Sequence, residues 1–157
     1  MKKKIIAAFL TTAMTIGSLS GVTVFAADAG TDEKVEMADA SDVDGTTITF
    51  WHSMGGVNGE AIDTLVKKFN DENEYGITVD AQYQGEYDDS LNKLKSAQIG
   101  NMGADLVQVY EIGTRFMIDS GWIVPMQQMI DADSYDVSEI EPNLAAYYTI
   151  DNELYSM

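Results

Sequence analysis

The sequence predicts an α/β domain with a mainly parallel sheet, and three observations support this prediction. Segments rich in β-branched and aromatic residues alternate with segments of helical periodicity, turn residues separate them, and the third strand segment is apolar throughout. This alternation is typical of right-handed βαβ crossovers, which place successive strands parallel. A continuous apolar run is expected of a strand that is covered on both faces.

The first half of the domain is predicted as strand, helix, strand. β-Rich residues fill Thr46–Trp51, which we interpret as the first strand. Asn58 is a candidate N-cap for a helix, whose apolar residues recur at helical spacing up to Asn70. Gly76 then precedes a second strand over Ile77–Tyr83.

The second half is predicted to contain one more long helix and then shorter elements. The second helix begins after Asp88 and Asp89, and Gly100 and Gly103 end it. A third strand follows over Leu106–Tyr110. The remaining expected elements are three short helical pieces and a hairpin-like return: Gly113–Ser120, Met126–Ile130, Ile140–Tyr147 and Asp151-Asn152.

Residues 1–26 have the features of a secretory signal peptide. Lys2–Lys4 form a positive region, an apolar run covers Ile5–Val24, and Val24-Phe25-Ala26 has the small-x-small spacing of a cleavage site. The alternative is a transmembrane anchor, which the glycine, serine and threonine residues of the run disfavour. We therefore expect export to the periplasm or the cell exterior.

Composition excludes several classes of function. The formal net charge is −17, so the protein repels nucleic acid and anionic lipid, and neither is expected as a partner. The chain has no cysteine, which excludes disulfides, thiolate metal ligands and a lipid-anchor cysteine within the sequence. With His52 as the one histidine, neither a zinc site nor a Cys/His catalytic pair is expected.

Between the signal peptide and the first strand lies an acidic segment, residues 27–45. It has almost no apolar residues to bury, so we expect a disordered spacer. Residues 46–157 are then the first part of an α/β lobe. The chain stops at Met157 directly after an extended segment, and we interpret the sequence as a fragment of a longer protein.

The carboxyl ends of parallel strands are where open α/β sheets bind ligands. This rule selects Trp51 and His52 (with Ser53) after the first strand, the Gln84–Tyr87 loop after the second, and Glu111 after the third. An aromatic face and an imidazole suit a pocket wall, and a tyrosine hydroxyl suits a polyol.

Each of these positions also has a plain structural interpretation. Trp51 and His52 can support the strand end, and Tyr87 can pack on the helix that follows it. Glu111 can accept hydrogen bonds from ligand hydroxyls or from backbone N–H groups of the next helix. The chain shows no nucleophile motif, metal cluster or phosphate loop, and acidic pairs are too numerous to single one out, so no catalytic residues are predicted.

Four segments carry a resemblance to a known family: Phe50–Met54, Val66–Asn70, Tyr83–Tyr87 and Leu106–Thr114. They resemble extracellular solute-binding protein family 1, and in particular its glycerol-3-phosphate-binding branch within ABC importers. The resemblance covers about residues 46–157.

The resemblance implies a periplasmic-binding-protein-like (type II) fold, of which this chain is an incomplete part. Such proteins are monomers that close two lobes on a small polar ligand and deliver it to a membrane permease, without a cofactor. The family's ligand contacts fall on Tyr87 and Glu111, and its other contacts lie beyond Met157. The implied ligand is glycerol-3-phosphate or a related glycerophosphodiester. Alternatives are a sugar or oligosaccharide ligand, an exported carbohydrate-active enzyme, or a surface interaction protein.

Overall fold

The computed structural model describes residues 35, 38–100 and 102–157. The predicted signal peptide and most of the predicted spacer lie outside these residues. The described chain forms two compact units, one over Ala40–Thr114 and one that contains Arg115–Met157. None of the helices in the described ranges is long and apolar enough to cross a membrane.

The first unit is a three-stranded parallel sheet with helical connections, and its strand order is β2-β1-β3. Strands β1 and β2 pair in parallel from Thr47 opposite Thr78 to His52 opposite Tyr83. The predicted α/β class and parallel sheet are therefore confirmed. The elements of this unit are α1 (Ala40–Val43), β1 (Thr47–His52), α2 (Gly56–Glu72), β2 (Thr78–Tyr83), α3 (Tyr87–Ile99), β3 (Leu106–Val107) and a 3₁₀ turn (Glu111–Gly113).

The third strand differs most from its prediction. Only Leu106 and Val107 pair with β1, opposite Phe50 and Trp51. The chain then leaves the sheet and enters the 3₁₀ turn at Glu111. Leu106 is 51% exposed, so the predicted coverage of both faces is wrong for this part of the chain.

Helix α2 begins three residues earlier than its sequence signal suggested. Its N-cap is Gly55, not Asn58, and Gly56 has a positive φ of 55° that glycine adopts without strain. At the other end the helix continues past Asn70 to Glu72. Asn73 closes it, because its side chain donates to the Phe69 carbonyl at 2.9 Å and accepts from the Ile77 N–H at 3.0 Å.

Asn70 connects α2 to the outer edge of the sheet. Its side-chain oxygen accepts from the Val79 N–H at 2.8 Å, and its nitrogen donates to the Val79 carbonyl at 2.9 Å. One amide therefore satisfies both backbone groups of a residue on β2, the edge strand.

The end of the predicted disordered spacer is ordered. Residues 40–43 form α1, and the Val43 side chain is fully buried. The Gly45 N–H donates to the Gly76 carbonyl at 3.1 Å. Disorder is thus wrong for residues 40–45, since one valine supplies the buried contact that composition alone did not predict.

The second unit consists of short helices and one hairpin. Its predicted pieces are present, and the hairpin turn at Asp151 and Asn152 has φ values of 52° and 66°, as a two-residue hairpin turn requires. Helix α5 packs against strand β5. The buried side chains are Met117, Ile130 and Leu154. The elements are α4 (Thr114–Ser120), α5 (Met126–Asp133), α6 (Pro142–Tyr147), β4 (Thr149–Ile150) and β5 (Glu153–Leu154).

Candidate functional site

The carboxyl ends of the three strands lie at one edge of the sheet, because the strands are parallel. Trp51 and His52 end β1, Tyr87 begins α3 shortly after β2, and Glu111 begins the 3₁₀ turn shortly after β3. The structure therefore places all four sequence-predicted positions at this edge, where open α/β sheets bind ligands.

A stacked pair of tyrosines connects two of these positions. The rings of Tyr87 and Tyr110 are nearly parallel, at 5°, and their centroids are 5.1 Å apart. The Tyr110 hydroxyl donates a hydrogen bond to Asp88 Oδ1 at 2.5 Å. Tyr110 directly precedes Glu111 in the chain, so the stack joins the start of α3 to the start of the 3₁₀ turn.

The Tyr110 hydroxyl is held in its protonated form. Its hydrogen bond to Asp88 raises the pKa of Tyr110 above the ordinary value, and desolvation and the charges of Asp88 and Glu111 act in the same direction. Loss of the proton would remove the donor and add a negative charge beside two carboxylates. Tyr110 is therefore a hydrogen-bond donor at neutral pH.

Glu111 is exposed at the start of its turn. The sequence left open whether its carboxylate meets a ligand or the backbone of the next helix. In the structure the side chain is not covered by the turn that it begins. The carboxylate is accessible to a molecule that approaches the edge of the sheet.

Trp51 and His52 lie on opposite faces of the sheet, because successive strand residues alternate. His52 is 3% exposed, between the rings of Phe50 at 5.5 Å and Tyr83 at 6.0 Å. Its Nδ1 accepts from the Met54 N–H at 3.3 Å, which assigns the ring proton to Nε2 in the neutral form. In this geometry His52 supports the loop after β1.

Trp51 lies against α3 instead and lines a shallow groove of about 630 Å³. Its Nε1 donates to Gln82 Oε1 at 3.2 Å, which fixes the indole along the edge strand. On the other side of the groove, Lys93 Nζ donates to the Gln84 carbonyl at 2.8 Å. The groove is lined by Trp51, Gln84, Gly85, Asp89, Asn92, Lys93 and Ser96.

Gln108 is a site residue that sequence reasoning missed. Its side-chain oxygen accepts from the Ser53 N–H at 2.9 Å, and its own N–H donates to the Trp51 carbonyl at 2.8 Å. It therefore joins the ends of β1 and β3. The available signal was a polar residue within the apolar run Leu106–Tyr110. Tyr110 and Asp88 were missed as well, although each directly adjoins a predicted contact.

One further polar group lies at this edge, and the acidic side chains are candidates for metal ligands. The Ser53 hydroxyl oxygen is buried and has no hydrogen-bond partner within the described part of the chain. Over the same described ranges, no group of three or more histidine, aspartate or glutamate side chains is placed to hold a metal ion.

Comparison with known proteins assigns the chain to a family. Residues 64–157 match the family model described as bacterial extracellular solute-binding protein. The chain belongs to this family. Its parallel sheet is thus that of a member of the bacterial extracellular solute-binding protein family.

Relatives of this solute-binding protein include binders of a phosphorylated polyol. The chain is 40% identical over 108 residues to the sn-glycerol-3-phosphate-binding periplasmic protein UgpB of Salmonella typhimurium, covering 66% of this chain and 24% of the relative. It is 38% identical over 117 residues to UgpB of Escherichia coli O1:K1, covering 72% of this chain and 26% of the relative. The chain therefore spans about a quarter of the length of these relatives.

Solved structures of solute-binding proteins share the fold. The sugar-binding protein MalE of Xanthomonas citri matches with a TM-score of 0.62 at 25% identity, over 71% of this chain and 28% of that one. The substrate-binding protein Lmo0181 of Listeria monocytogenes, solved with cycloalternan, matches with a TM-score of 0.62 at 24% identity, also over 71% and 28%. These matches confirm the periplasmic-binding-protein-like fold.

Proposed function

We propose that the chain is the first part of the extracytoplasmic substrate-binding component of an ABC importer that captures glycerol-3-phosphate or a related glycerophosphodiester. The observation that carries the proposal is the 40% identity to proteins named for binding sn-glycerol-3-phosphate. In this role the protein binds its ligand without chemical change and delivers it to a membrane permease.

The charges at the sheet edge determine which part of the ligand would bind there. Tyr87 offers a hydroxyl that donates and accepts, and Glu111 offers an accepting carboxylate. Asp88 and Asp89 add negative charge at the start of α3. A phosphate would be repelled by these groups, whereas glycerol hydroxyls can donate to them. The proposal therefore assigns the glycerol end to Tyr87 and Glu111, and the phosphate to donors elsewhere in the complete protein.

Export is part of the same proposal. Cleavage after Ala26 would release a mature chain that starts at Ala27 with the acidic spacer. We propose that this mature chain works outside the cytoplasm, in the periplasm or at the cell exterior.

The test is calorimetry on the full-length mature protein with sn-glycerol 3-phosphate. Glu111→Gln should weaken binding by about 1–3 kcal/mol, because a charged hydrogen bond to a ligand hydroxyl is lost. Glu74→Gln is the matched control, an exposed glutamate before β2 at the opposite end of the sheet, and should leave affinity unchanged. An affinity of Glu111→Gln equal to that of the wild type would sink the role of Glu111.

A second candidate ligand is a sugar or oligosaccharide. The groove beside Trp51 favours it, since an aromatic face with nearby polar side chains suits a sugar ring. The match to MalE of Xanthomonas citri, a sugar-binding protein, points the same way. Titration with maltose and maltotriose separates the candidates: heat from these sugars and none from sn-glycerol 3-phosphate would replace the first proposal with the second.

A further inference from the structure

We infer that Tyr110 is a positioning residue for the ligand site: its ring stacks on Tyr87 and its hydroxyl is anchored on Asp88, which together hold Tyr87 in place. The inference rests on the proposed role of Tyr87 as a ligand contact. It assigns a function to a side chain that need not touch the ligand itself.

Tyr87 is not fixed by the packing of its own helix. It is the first residue of α3 and is 41% exposed, whereas the buried face of α3 is formed by Ser90 and Leu94. The contact that defines its ring plane is the parallel stack on Tyr110, at 5.1 Å between centroids. An exposed tyrosine without such a contact would lose side-chain freedom on binding, at a cost in affinity.

Tyr110 is itself held from two sides. Its hydroxyl donates to Asp88 Oδ1 at 2.5 Å, a bond strengthened by the charge of the acceptor. Its carbonyl accepts from the Gly113 N–H at 2.8 Å, which fixes the backbone at the start of the 3₁₀ turn. Since Asp88 directly follows Tyr87, stack and hydrogen bond form one closed ring of contacts between α3 and the residue before Glu111.

Three variants separate the effect of the ring stack from the effect of the hydrogen bond to Asp88. Tyr110→Leu removes the ring, and we expect the affinity for the ligand to fall by about two- to tenfold, the range that an aromatic pair contributes. Tyr110→Phe keeps the ring and loses the anchor, so it should recover most of the affinity. Asp88→Asn keeps an acceptor for the hydroxyl but removes its charge, so its affinity should lie between that of Tyr110→Phe and that of the wild type.

The experiment combines two readouts on the full-length mature protein. Calorimetry with sn-glycerol 3-phosphate gives the affinity. NMR of ring-labelled tyrosine without ligand gives the ring-current shift of Tyr87, which a stacked partner produces and a general loss of stability does not. Tyr75→Leu is the matched control, a half-buried tyrosine before β2 at the far end of the sheet, and should change neither readout.

The outcome is decided by comparing Tyr110→Leu with Tyr87→Ala. Support requires that Tyr110→Leu shifts the Tyr87 resonance, weakens binding, and has no further effect in the Tyr87→Ala background. Weaker binding in Tyr87→Ala but not in Tyr110→Leu overturns the positioning role alone and leaves the proposed function standing. Unchanged binding in Tyr87→Ala overturns the contact role of Tyr87 and the positioning role of Tyr110, and leaves the proposed ligand standing. No binding of the probe to the wild type overturns the positioning role and the proposed function together.

Discussion

The two ends of the parallel sheet differ in what their polar side chains do. At the amino end, asparagine side chains supply hydrogen-bond partners for backbone groups. Asn70 bonds the N–H and the carbonyl of Val79, and Asn73 accepts from the Ile77 N–H. At the carboxyl end, Gln108 and His52 also accept from backbone N–H groups, but Tyr87 and Glu111 are exposed. The difference is that the described polar side chains of the amino end bond the backbone, whereas the carboxyl end also carries the exposed groups to which the proposed function assigns the ligand.

Substitutions at the two ends should therefore differ in whether they change stability or ligand affinity. Changes at the amino end should lower the free energy of unfolding and leave ligand affinity alone. Changes at Tyr87 or Glu111 should lower affinity and leave stability nearly unchanged. The following predictions test this division, from the largest expected effect to the smallest.

Asn70→Ala should give the largest loss of stability, about 2–4 kcal/mol, because it leaves the N–H and the carbonyl of Val79 without partners in a partly buried position. Urea denaturation of the full-length mature protein measures it. Asn92→Ala, an exposed asparagine on α3, is the control and should change stability by less than about 0.5 kcal/mol. A loss for Asn70→Ala no larger than that of the control would contradict the assigned role of the amide.

Gly76→Ala should cost about 1–2 kcal/mol or slightly more, because its φ of 70° is in the left-handed region. The added methyl group would also displace the Asp44 carboxylate and lie 3.3 Å from the Gly45 nitrogen. Gly45→Ala is the matched comparison, with a φ of 78° and no neighbour within 4 Å of its added methyl group. Equal thermal midpoints for the two variants would show that the contact with Asp44 adds nothing.

Asp88→Asn should lower the pKa of Tyr110 toward its ordinary value of 10.0, because the hydrogen bond to the carboxylate is the main cause that raises it. A raised pKa in the folded state stabilises the fold below the unfolded pKa, and this contribution is lost as the pH rises through the folded pKa. Tyrosine ring NMR against pH measures the midpoint. Asp89→Asn is the control, since its charge acts on the pKa of Tyr83; a midpoint of Tyr110 that moves equally in both variants would refute the assignment.

Lys67→Gln should have the smallest effect, about 0.2–0.5 kcal/mol, since it removes only an (i, i+4) ion pair with Asp71 on α2. Both side chains are mostly exposed, at 75% and 59%, so solvent and salt screen the pair. Chemical denaturation should give this small difference in low salt and a smaller difference or none in high salt. A loss above about 1 kcal/mol would show that the exposed face of α2 also maintains the fold.

Much of the sheet could be predicted because its signals are local. β1 and β2 lie within one residue of their predicted bounds, since β-branched and aromatic residues define them without reference to the rest of the chain. The Asp151-Asn152 turn was also predictable, because two adjacent residues that tolerate a positive φ are a hairpin signal. The length of β3 was not predictable, because it depends on how far β1 extends beside it and not on its own apolar run.

The positions of the candidate site could be predicted from the sequence, but the contacts between its side chains could not. The strand-end rule and the family resemblance both selected Tyr87 and Glu111, which follow strands in the sequence. Tyr110 contacts α3 at residues that are far from it in the chain. The spacing of apolar residues predicts helices and strands, but it does not predict which distant side chains come into contact. Trp51 and His52, adjacent in sequence, were grouped as one pocket wall, but the alternation of the strand separates them to opposite faces.

The Asn70 amide has a consequence for how the protein avoids association with other chains. β2 is an edge strand, and Asn70 bonds the groups of Val79 on the side away from β1. The neighbouring Thr78 N–H points the other way and donates to the carbonyl of Thr46, the residue before β1. An open strand edge is a template on which a second polypeptide can add by backbone pairing. Asn70 already bonds the N–H and the carbonyl of Val79, so these two groups cannot pair with a second chain. The stretch of β2 that is open to intermolecular β-pairing is shorter as a result.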